Sequence, residues 1–249
     1  MQKKKLSEIQ ELVREGDLNA ICELAYRKYD GIGIEKDYEG AFELYKQASE
    51  KGNIKATYNL GNCYYYGEGT RQNLKKAFEL YKQASEKENE NAIYMLALCY
   101  LFGYGTEEDC GKAFKIFSEL AEKGEADAEF HLSNMYYEGK GTEKDLKESF
   151  KHMKRSAEAG YREAYLWTGY KYLHGEGIEI NDKEAIKWLE KSVEEENDIA
   201  QWILGMIYLE GADNDINIKQ NKEYGVELLK KSAKQGNKEA EAKLQELKI

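Results

Sequence analysis

The amino-acid sequence predicts an all-α fold of six tandem helix–turn–helix repeats, and three observations support this prediction. Pairs of glycines in a G-x-G pattern recur every 36 residues, at Gly31/Gly33, Gly67/Gly69, Gly103/Gly105, Gly139/Gly141 and Gly175/Gly177. An amphipathic helical pattern precedes each pair, and a second one follows it. The 249 residues include no proline, so nothing in the composition breaks these helices. Self-similarity at this period is typical of stacked supersecondary units.

The repeats cover nearly the whole chain, and we predict one solenoid domain over residues 1–249. A solenoid grows by adding units, so it needs no central core. Residues 1–15 are predicted to form an N-terminal capping helix, and residues 236–249 a C-terminal one. The six repeats are predicted at residues 16–51, 52–87, 88–123, 124–159, 160–195 and 196–235.

The first half of each repeat predicts a helix, called helix A, with positions counted from the first residue of the repeat as position 0. Alanine stands at position 4 in all six repeats, and leucine at position 8 in all but the fifth. Position 9 is always small, and position 12 is tyrosine from the second repeat onward. This spacing of four forms one face of a helix, and the small residues allow a second helix to approach closely.

The glycine pair and a polar residue at position 21 predict a tight turn followed by a second helix, called helix B. Glycine adopts a positive φ without steric cost. The residues at position 21 can accept hydrogen bonds from the first turn of helix B; they are Asp37, Asn73, Asp109, Asp145 and Asn181. Small residues at positions 25 and 32 predict the buried face. A phosphate-binding loop is excluded, because such a loop joins a strand to a helix and occurs once per nucleotide.

The two ends and the sixth repeat depart from the pattern. Ser7-Glu8-Ile9-Gln10 predicts a capping box that begins the N-terminal helix, and Asn237–Ile249 predicts a final, charge-rich helix A. The sixth repeat has four extra residues in the turn that includes Gly211–Asn217. Asp213, Asp215 and Asn217 resemble the start of a calcium loop. Calcium is not expected, because Ile218 and Tyr224 stand where that loop needs Gly and Glu.

The pattern A-x-x-x-L-G-x-x-Y-x-x-G-x-G-x-x-x-D-x-x-x-A resembles the Sel-one-like repeat family, which is related to the tetratricopeptide repeats. Its residues in the second repeat are Ala56, Leu60, Gly61, Tyr64, Gly67, Gly69, Asn73 and Ala77. The resemblance spans residues 16–249. It implies a right-handed α/α superhelix whose helices A line the concave face. It also implies adaptor and scaffold roles in bacterial signalling, host interaction and eukaryotic quality control, and no single enzymatic activity.

Residues opposite the packing face of helix A are the candidate binding residues. Because a helix advances about 100° per residue, positions 3, 6, 10, 13 and 14 point away from the core-facing position 8. Position 6 is apolar in every repeat, which equally fits packing between adjacent helices A. Tyrosine and tryptophan suit a surface that a partner buries intermittently. The candidates are Tyr26, Tyr29, Asp30, Tyr58, Asn62, Tyr65, Tyr66, Tyr94, Leu98, Phe102, Asn134, Tyr137, Glu138, Tyr170, His174, Trp202, Met206 and Glu210.

Charges on the same face predict the kind of partner. Helix A carries Asp30, Asp127, Glu138, Glu163 and Glu210 on this face, against Lys55 alone. We therefore expect an aromatic groove with an acidic rim, which binds an extended or helical protein segment that carries Lys or Arg and a few apolar anchors. The expected function is a non-enzymatic protein-interaction scaffold or adaptor.

Three alternatives to an adaptor remain open from the sequence. The first is an immunity or anti-effector protein that clamps a basic toxin. The second is a penicillin-binding or β-lactamase-like hydrolase, a role described for similar cysteine-rich repeat proteins. No S-x-x-K or K-T-G motif occurs here, and His131, His152 and His174 have no nucleophile partner at motif spacing. The third is a passive spacer.

Composition limits the partners and the compartment. A net charge of −10 and a pI near 5.1 disfavour nucleic acid; the only basic cluster, residues 3–5, is expected to be a solvated chain end. No apolar stretch long enough to span a membrane and no signal peptide are expected. Cys22, Cys63, Cys99 and Cys110 are expected to be reduced, which favours the cytoplasm, with an exported mature form left open. No metal or cofactor is expected, and a monomer is favoured.

Overall fold

The computed structural model describes residues 5–211 and 220–249. Within these residues the chain forms fourteen α-helices and no strand. They are α1 (Leu6–Arg14), α2 (Leu18–Asp30), α3 (Tyr38–Glu50), α4 (Ile54–Tyr66), α5 (Leu74–Ser85), α6 (Glu90–Phe102), α7 (Cys110–Glu122), α8 (Ala126–Glu138), α9 (Leu146–Glu158), α10 (Arg162–His174), α11 (Asp182–Glu194), α12 (Asp198–Glu210), α13 (Lys222–Lys234) and α14 (Lys238–Glu246). The predicted all-α solenoid of helical repeats is confirmed.

Helices A and B alternate along the chain, and their small residues form the packing face. Helices A are the even-numbered helices from α2 to α14, and helices B are the odd-numbered helices from α3 to α13. The alanine at position 4 is buried in all six repeats. At position 9, the absent Cβ of Gly61 leaves room for the ring of Tyr81, which would lie 2.7 Å from such an atom. Small residues therefore let large side chains of helix B pack directly against the backbone of helix A.

The chain divides into two compact units, residues 1–116 and residues 117–249. In the first unit, Ile21, Phe42 and Tyr45 belong to a buried cluster from α2, α3 and α4. In the second unit, Leu189 and Leu204 belong to an equivalent cluster from α10 to α13. In both units the core lies between helices A and B, as expected for helical pairs that bury their apolar faces against each other.

Helix caps at position 21 are confirmed in all five repeats for which they were predicted. Each side chain accepts a hydrogen bond from a backbone N–H in the first turn of helix B. Position 1 supplies further caps that the sequence analysis did not identify, and these begin helices A: Asp17, Asn53, Asn89, Asn197 and Asn237. Local side-chain hydrogen bonds therefore cap the first turn of helix B at position 21 and, in the repeats named, the first turn of helix A at position 1.

The predicted capping box at Ser7 is wrong. Helix α1 begins at Leu6, and its N-cap residue is Lys5. The backbone N–H of Lys5 donates to Glu8 Oε2 at 3.1 Å. Glu8 stands at the third helical position, from which a carboxylate reaches back to the N-cap, and this contact begins the helix two residues earlier than predicted.

The glycine turns have the predicted positive φ and a second function in packing. Gly67 ends α4 with φ 76°, and Gly69 follows with φ 71°. A Cβ atom on Gly69 would overlap with the carbonyl group of Tyr38, the first residue of the preceding helix B. Gly105 meets Leu74 and Gly177 meets Leu146 in the same way. The second glycine of each of these turns therefore lets the turn rest on the backbone of the previous repeat.

The four cysteines all lie in the described residues, and no disulfide joins any two of them. Cys22, Cys63 and Cys99 are buried on helices A, while Cys110 is partly exposed at the start of α7. Burial raises the pKa of Cys63 to about 11 and that of Cys99 to about 12. The pKa of Cys22 is also raised, mainly by burial. These three side chains remain thiols at neutral pH.

We expect one thiol per chain to react rapidly with a chromogenic disulfide reagent at pH 8, and this thiol to be Cys110. Thiolate is the reactive form, and burial suppresses it at the other three positions. The reaction is followed by absorbance, and the modified residue is identified by peptide mass spectrometry. Unfolding the chain in urea should make all four thiols react. Rapid modification of Cys63 or Cys99 in the folded chain would contradict this assignment.

Two further findings concern only part of the chain. No helix in the described residues is both long enough and apolar enough to cross a membrane. The candidate calcium residues Asp213, Asp215 and Asn217, and the basic residues 3 and 4, lie outside the described residues. Within residues 5–211 and 220–249, no three His, Cys, Asp or Glu side chains group together in a way that would hold a metal ion.

Candidate functional site

The last residue of helix A is exposed in every repeat, and this position 14 forms the most consistent part of the predicted face. These residues end α2, α4, α6, α8, α10 and α12, where a glycine with positive φ turns the chain away. Their side chains therefore lie exposed at the C-terminal ends of helices A. They are Asp30, Tyr66, Phe102, Glu138, His174 and Glu210.

None of the eighteen predicted binding residues is buried. Eight are exposed: Tyr26, Asp30, Tyr66, Phe102, Tyr137, Glu138, His174 and Glu210. Ten are half-buried: Tyr29, Tyr58, Asn62, Tyr65, Tyr94, Leu98, Asn134, Tyr170, Trp202 and Met206. Positions 6 and 13 do not avoid the core throughout, because Cys22, Leu101 and Leu166 at these positions are buried. Their role in binding stays a prediction.

Four rings in the first unit lie together at the ends of α4 and α6, and we call them the first aromatic cluster: Tyr65, Tyr66, Phe102 and Tyr104. The ring centroids of Tyr65 and Tyr66 are 4.9 Å apart, and those of Tyr65 and Tyr104 are 5.6 Å apart, both edge-to-face. Phe102 and Tyr104 are separated by 5.4 Å. Tyr66 is 60% exposed and Phe102 49%. The cluster thus joins two repeats into one exposed aromatic surface.

Tyr104 was missed by the sequence analysis, because it is the middle residue of a G-x-G turn and has no helical angle. Tyr104 is position 16 of its repeat. In the preceding repeat this position is Glu68, which accepts a hydrogen bond from the hydroxyl of Tyr29. In both cases position 13 of one repeat contacts position 16 of the next. Burial, followed by the neighbouring tyrosines, raises the pKa of Tyr65. These contacts hold the rings in place.

Several predicted residues of the first unit also take part in packing. The hydroxyl of Tyr81 donates to Asn62 Oδ1 at 2.8 Å, and the ring of Tyr58 lies 6.0 Å from that of Tyr81. The Asp30 carboxylate accepts a hydrogen bond from Tyr26 and raises the pKa of Tyr26. Beside Tyr26, α1, α2 and α4 enclose a cavity of about 540 Å³ whose walls include Lys55 and Asn59.

The second unit has its own ring group, which we call the second aromatic cluster: Trp167, Tyr170 and His174. All three lie on α10, with Trp167 and Tyr170 centroids 6.0 Å apart and Tyr170 and His174 centroids 4.2 Å apart. Trp167 is 45% exposed. The sequence analysis missed Trp167, since position 7 directly precedes the core-facing position 8. Trp202 and Met206 pack against the core of α12, α13 and α14.

Tyr137 differs from the other exposed rings, because two lysines of the chain already cover it. Lys171 Nζ lies 4.7 Å from the ring centroid, and Lys144 Nζ lies 5.2 Å from it. Lys171 is only 4% exposed, and its ammonium group donates to Ser149 Oγ at 3.1 Å and lies 3.5 Å from Glu176 Oε2. Burial lowers the pKa of Lys171, and Glu176 partly opposes this shift.

The predicted acidic rim is partly neutralised. Glu138 pairs with Lys140 at 2.7 Å, and Glu210 pairs with Lys243 at 2.8 Å. The sequence analysis did not count these lysines, because one lies in a turn and the other on the final helix α14. Asp127 is half-buried, and burial raises its pKa.

The nearest arrangement to a nucleophile and its base is the contact between Ser149 and Lys171. Ser149 is fully buried, and Ser133 Oγ donates to its carbonyl oxygen at 2.7 Å. A substrate carbonyl has no access to this hydroxyl, and a serine nucleophile must reach one. His131 stacks on Phe117 at 4.7 Å, and burial lowers its pKa to about 4. His152 hydrogen-bonds to Glu129. Both histidines are partly buried and contact other side chains of the protein.

Comparison with known protein families and structures is consistent with this geometry. A family model described as Sel1 repeat matches residues 18–53, 54–89, 91–125, 126–161, 162–197 and 198–237. Each matched segment begins within three residues of the first residue of a predicted repeat. Comparison with curated proteins gives no match.

Three solved structures share the fold. A protective antigen of uropathogenic Escherichia coli with an SLR fold is 27% identical, with a TM-score of 0.79 over 96% of this chain and 50% of the antigen; this chain thus spans half the length of that protein. A Sel1 repeat protein from Oxalobacter formigenes is 28% identical, with a TM-score of 0.76 over 87% of this chain and 85% of its own. An immunity protein from Pseudomonas aeruginosa is 19% identical, with a TM-score of 0.53 over 86% and 81%.

Proposed function

This chain belongs to the Sel1 repeat family, a family of protein-interaction scaffolds, and from that premise we propose that the first aromatic cluster is a docking surface for a segment of another protein. The observation that carries this proposal is the exposure of Tyr66 and Phe102 within a continuous group of rings. Aromatic residues that stay partly exposed in a group are typical of interface centres. The second aromatic cluster is proposed as a separate contact region within the second unit.

The proposed partner is a protein segment with basic residues and a few apolar anchors. Residues 117–249 contain 20 Lys and Arg against 28 Asp and Glu, whereas residues 1–116 contain 17 against 19. The acidic excess therefore lies mainly in the second unit, where a basic partner would gain most from long-range attraction. The remaining candidates of the predicted face are proposed as further contact residues, each within its own unit. The pairing of Glu138 and Glu210 with lysines reduces their share of this attraction.

An immunity role remains the second candidate within the binding class. Two immunity proteins from Pseudomonas aeruginosa share the fold at 19% and 16% identity, which is too distant to carry more than the fold. Protection of cells that co-express this chain with the toxic product of a neighbouring gene would favour it. The hydrolase alternative gains nothing from Ser149, because its hydroxyl contacts the ammonium group of Lys171 but is fully buried.

We expect a Tyr66→Ala/Phe102→Ala variant to lose its protein partner. Truncation of two exposed rings at an interface centre should reduce capture about tenfold or more. Wild-type and variant chains are used as baits, and captured proteins are quantified by mass spectrometry. The affinity of the recovered partner is then measured with purified components.

Ile54→Ala is the matched control. Ile54 is the first residue of α4, is also partly exposed, and lies at the opposite end of the helix from Tyr66. It should leave capture unchanged, and the circular dichroism of all variants should match that of the wild type. Equal capture by the wild type and by the double variant would exclude the first aromatic cluster as the docking surface.

A further inference from the structure

Lysine side chains of this protein cover many of its own aromatic rings. Lys36 lies 5.1 Å from the ring centroid of Tyr38, Lys76 lies 5.0 Å from that of Tyr64, and Lys112 lies 5.1 Å from that of Tyr100. Further contacts of this kind are made by Lys144, Lys171, Lys187 and Lys191. A cation over an aromatic face is attracted by the negative potential of the ring.

Tyr66 and Phe102 are the most exposed aromatic rings in the described part of the chain, and both belong to the larger number of rings there that no lysine covers. Among residues 5–211 and 220–249, no Lys or Arg lies over either ring. Their contacts are with other rings of the first aromatic cluster. The cation–π interaction that lysines make with other rings is therefore not made by the protein itself at Tyr66 and Phe102, and a cation of a partner can make it there.

The backbone adds a second preference for positive charge at the same place. Tyr66 and Phe102 are the last residues of α4 and α6, and the C-terminal end of a helix carries a partial negative charge. Neither helix has a basic residue in its last turn, whereas α2 has Arg27 and Lys28 there. Two helix ends of one compact unit thus lack a cation of their own.

Side-chain charges nearby have the same sign. Residues 29–32, 65–68 and 101–104 form the helix ends and first turn residues of the first three repeats. They include the carboxylates of Asp30 and Glu68 and no Lys or Arg. The equivalent segment of the fourth repeat differs, because Lys140 pairs with Glu138 there. The first aromatic cluster is therefore the part of this face that suits an external cation.

We propose that Tyr66 and Phe102 bind a cationic side chain of the partner, with arginine preferred; this inference rests on the proposed docking function of the first aromatic cluster. The rings of Tyr66 and Phe102 each contact another ring of the cluster and remain 60% and 49% exposed. A planar guanidinium stacks on such a face with more contact than a compact ammonium group. Arg or Lys of the partner takes the place that the protein's own lysines occupy on other rings.

The test uses three blocked peptides of equal length, acetyl-Gly-Arg-Gly-amide, acetyl-Gly-Lys-Gly-amide and acetyl-Gly-citrulline-Gly-amide. Citrulline keeps the planar shape of arginine without its charge. Each peptide is titrated into the full chain, and the ring proton resonances of Tyr66 and Phe102 are followed by NMR. We expect the arginine peptide to shift both rings, the lysine peptide to shift them less, and the citrulline peptide to leave them unchanged. Raising the salt concentration should reduce the arginine effect.

Two variants distinguish the contribution of the aromatic rings to binding from the contribution of apolar surface area. Tyr66→Leu and Phe102→Leu keep an apolar side chain and remove the ring, and each should weaken binding of the arginine peptide about twofold to fivefold. Tyr100→Leu is the matched control, because Lys112 already covers that ring and Tyr100 is not among the proposed binding residues. Equal shifts with arginine and citrulline, or equal binding by wild type and Tyr66→Leu, would overturn the cation assignment. The docking proposal is tested separately by the alanine variants, since a neutral segment could still bind at the cluster.

Discussion

Replacing Gly105 with alanine is expected to lower the free energy of unfolding by about 3 kcal/mol or more, one of the largest effects of any single methyl group in this chain. The φ of Gly105 is 73°, a value that costs a non-glycine residue roughly 1–3 kcal/mol. The new Cβ would also overlap with the carbonyl group of Leu74 and lie 2.7 Å from the backbone nitrogen of Lys75. Backbone atoms cannot rotate away as a side chain can, so the two repeats must separate locally.

Gly33→Ala is the control that isolates this contact. Gly33 occupies the same turn position with φ 70°, but a Cβ there would have no neighbour within 4 Å. It should cost only the backbone strain, about 1 kcal/mol. Urea unfolding followed by circular dichroism gives the two midpoints, and hydrogen exchange in α5 and α6 shows whether the loss is local. Equal destabilisation by both variants would mean that glycine is needed at this turn position only for its positive φ, and that the contact of Gly105 with Leu74 contributes nothing to stability.

The sequence was sufficient to predict the local conformation at these glycines and not their tertiary contact. A recurring G-x-G between two amphipathic helices indicates a turn with positive φ, and every such glycine has one. The overlap with Leu74 depends on where the preceding repeat lies, which a single-repeat pattern does not contain. The wrong start of α1 has a related cause: Ser7 fits the capping pattern, but Glu8 contacts the backbone of Lys5 instead.

The candidate site was predictable to the extent that it follows helical periodicity. Position 14 was assigned by its angle to the face opposite the core, and it is exposed in all six repeats. Tyr104 lies in a turn, to which no helical angle applies, so its contact with Tyr65 could not be derived. The salt bridge of Glu210 with Lys243 connects α12 to α14, and only the tertiary structure brings those residues together.

Replacing Lys171 with methionine is expected to stabilise the second unit by about 1–3 kcal/mol at neutral pH. Lys171 is 4% exposed, so the folded chain bears the cost of taking its ammonium group out of water, and an apolar side chain of similar length avoids that cost. Glu176 is only half-buried, so its carboxylate can be hydrated after the change. Methionine sulfur also suits the face of Tyr137, which Lys144 continues to cover. Ser149 retains Ser133 as a neighbour, with the two hydroxyl oxygens 3.3 Å apart.

The stabilisation by Lys171→Met should decrease as the pH rises. Burial lowers the pKa of Lys171 in the folded chain below its usual value of 10.5. Between the lowered value and 10.5 the unfolded chain therefore binds more protons at this residue, and stability rises with pH. The advantage of Lys171→Met over the wild type should be largest below the lowered pKa and should shrink as the pH approaches 10.5.

Urea unfolding of both proteins at pH 7, 8, 9 and 10 measures this difference, and the contributions of all other titrating groups largely cancel between them. Lys187→Met is the matched control, because Lys187 is exposed on α11 and contacts Glu184 at 3.4 Å. It should change stability by less than about 1 kcal/mol and show no comparable trend with pH. A Lys171→Met variant that is less stable than the wild type at pH 7 would show that the ion pair with Glu176 and the contact with Tyr137 outweigh the cost of burying the ammonium group.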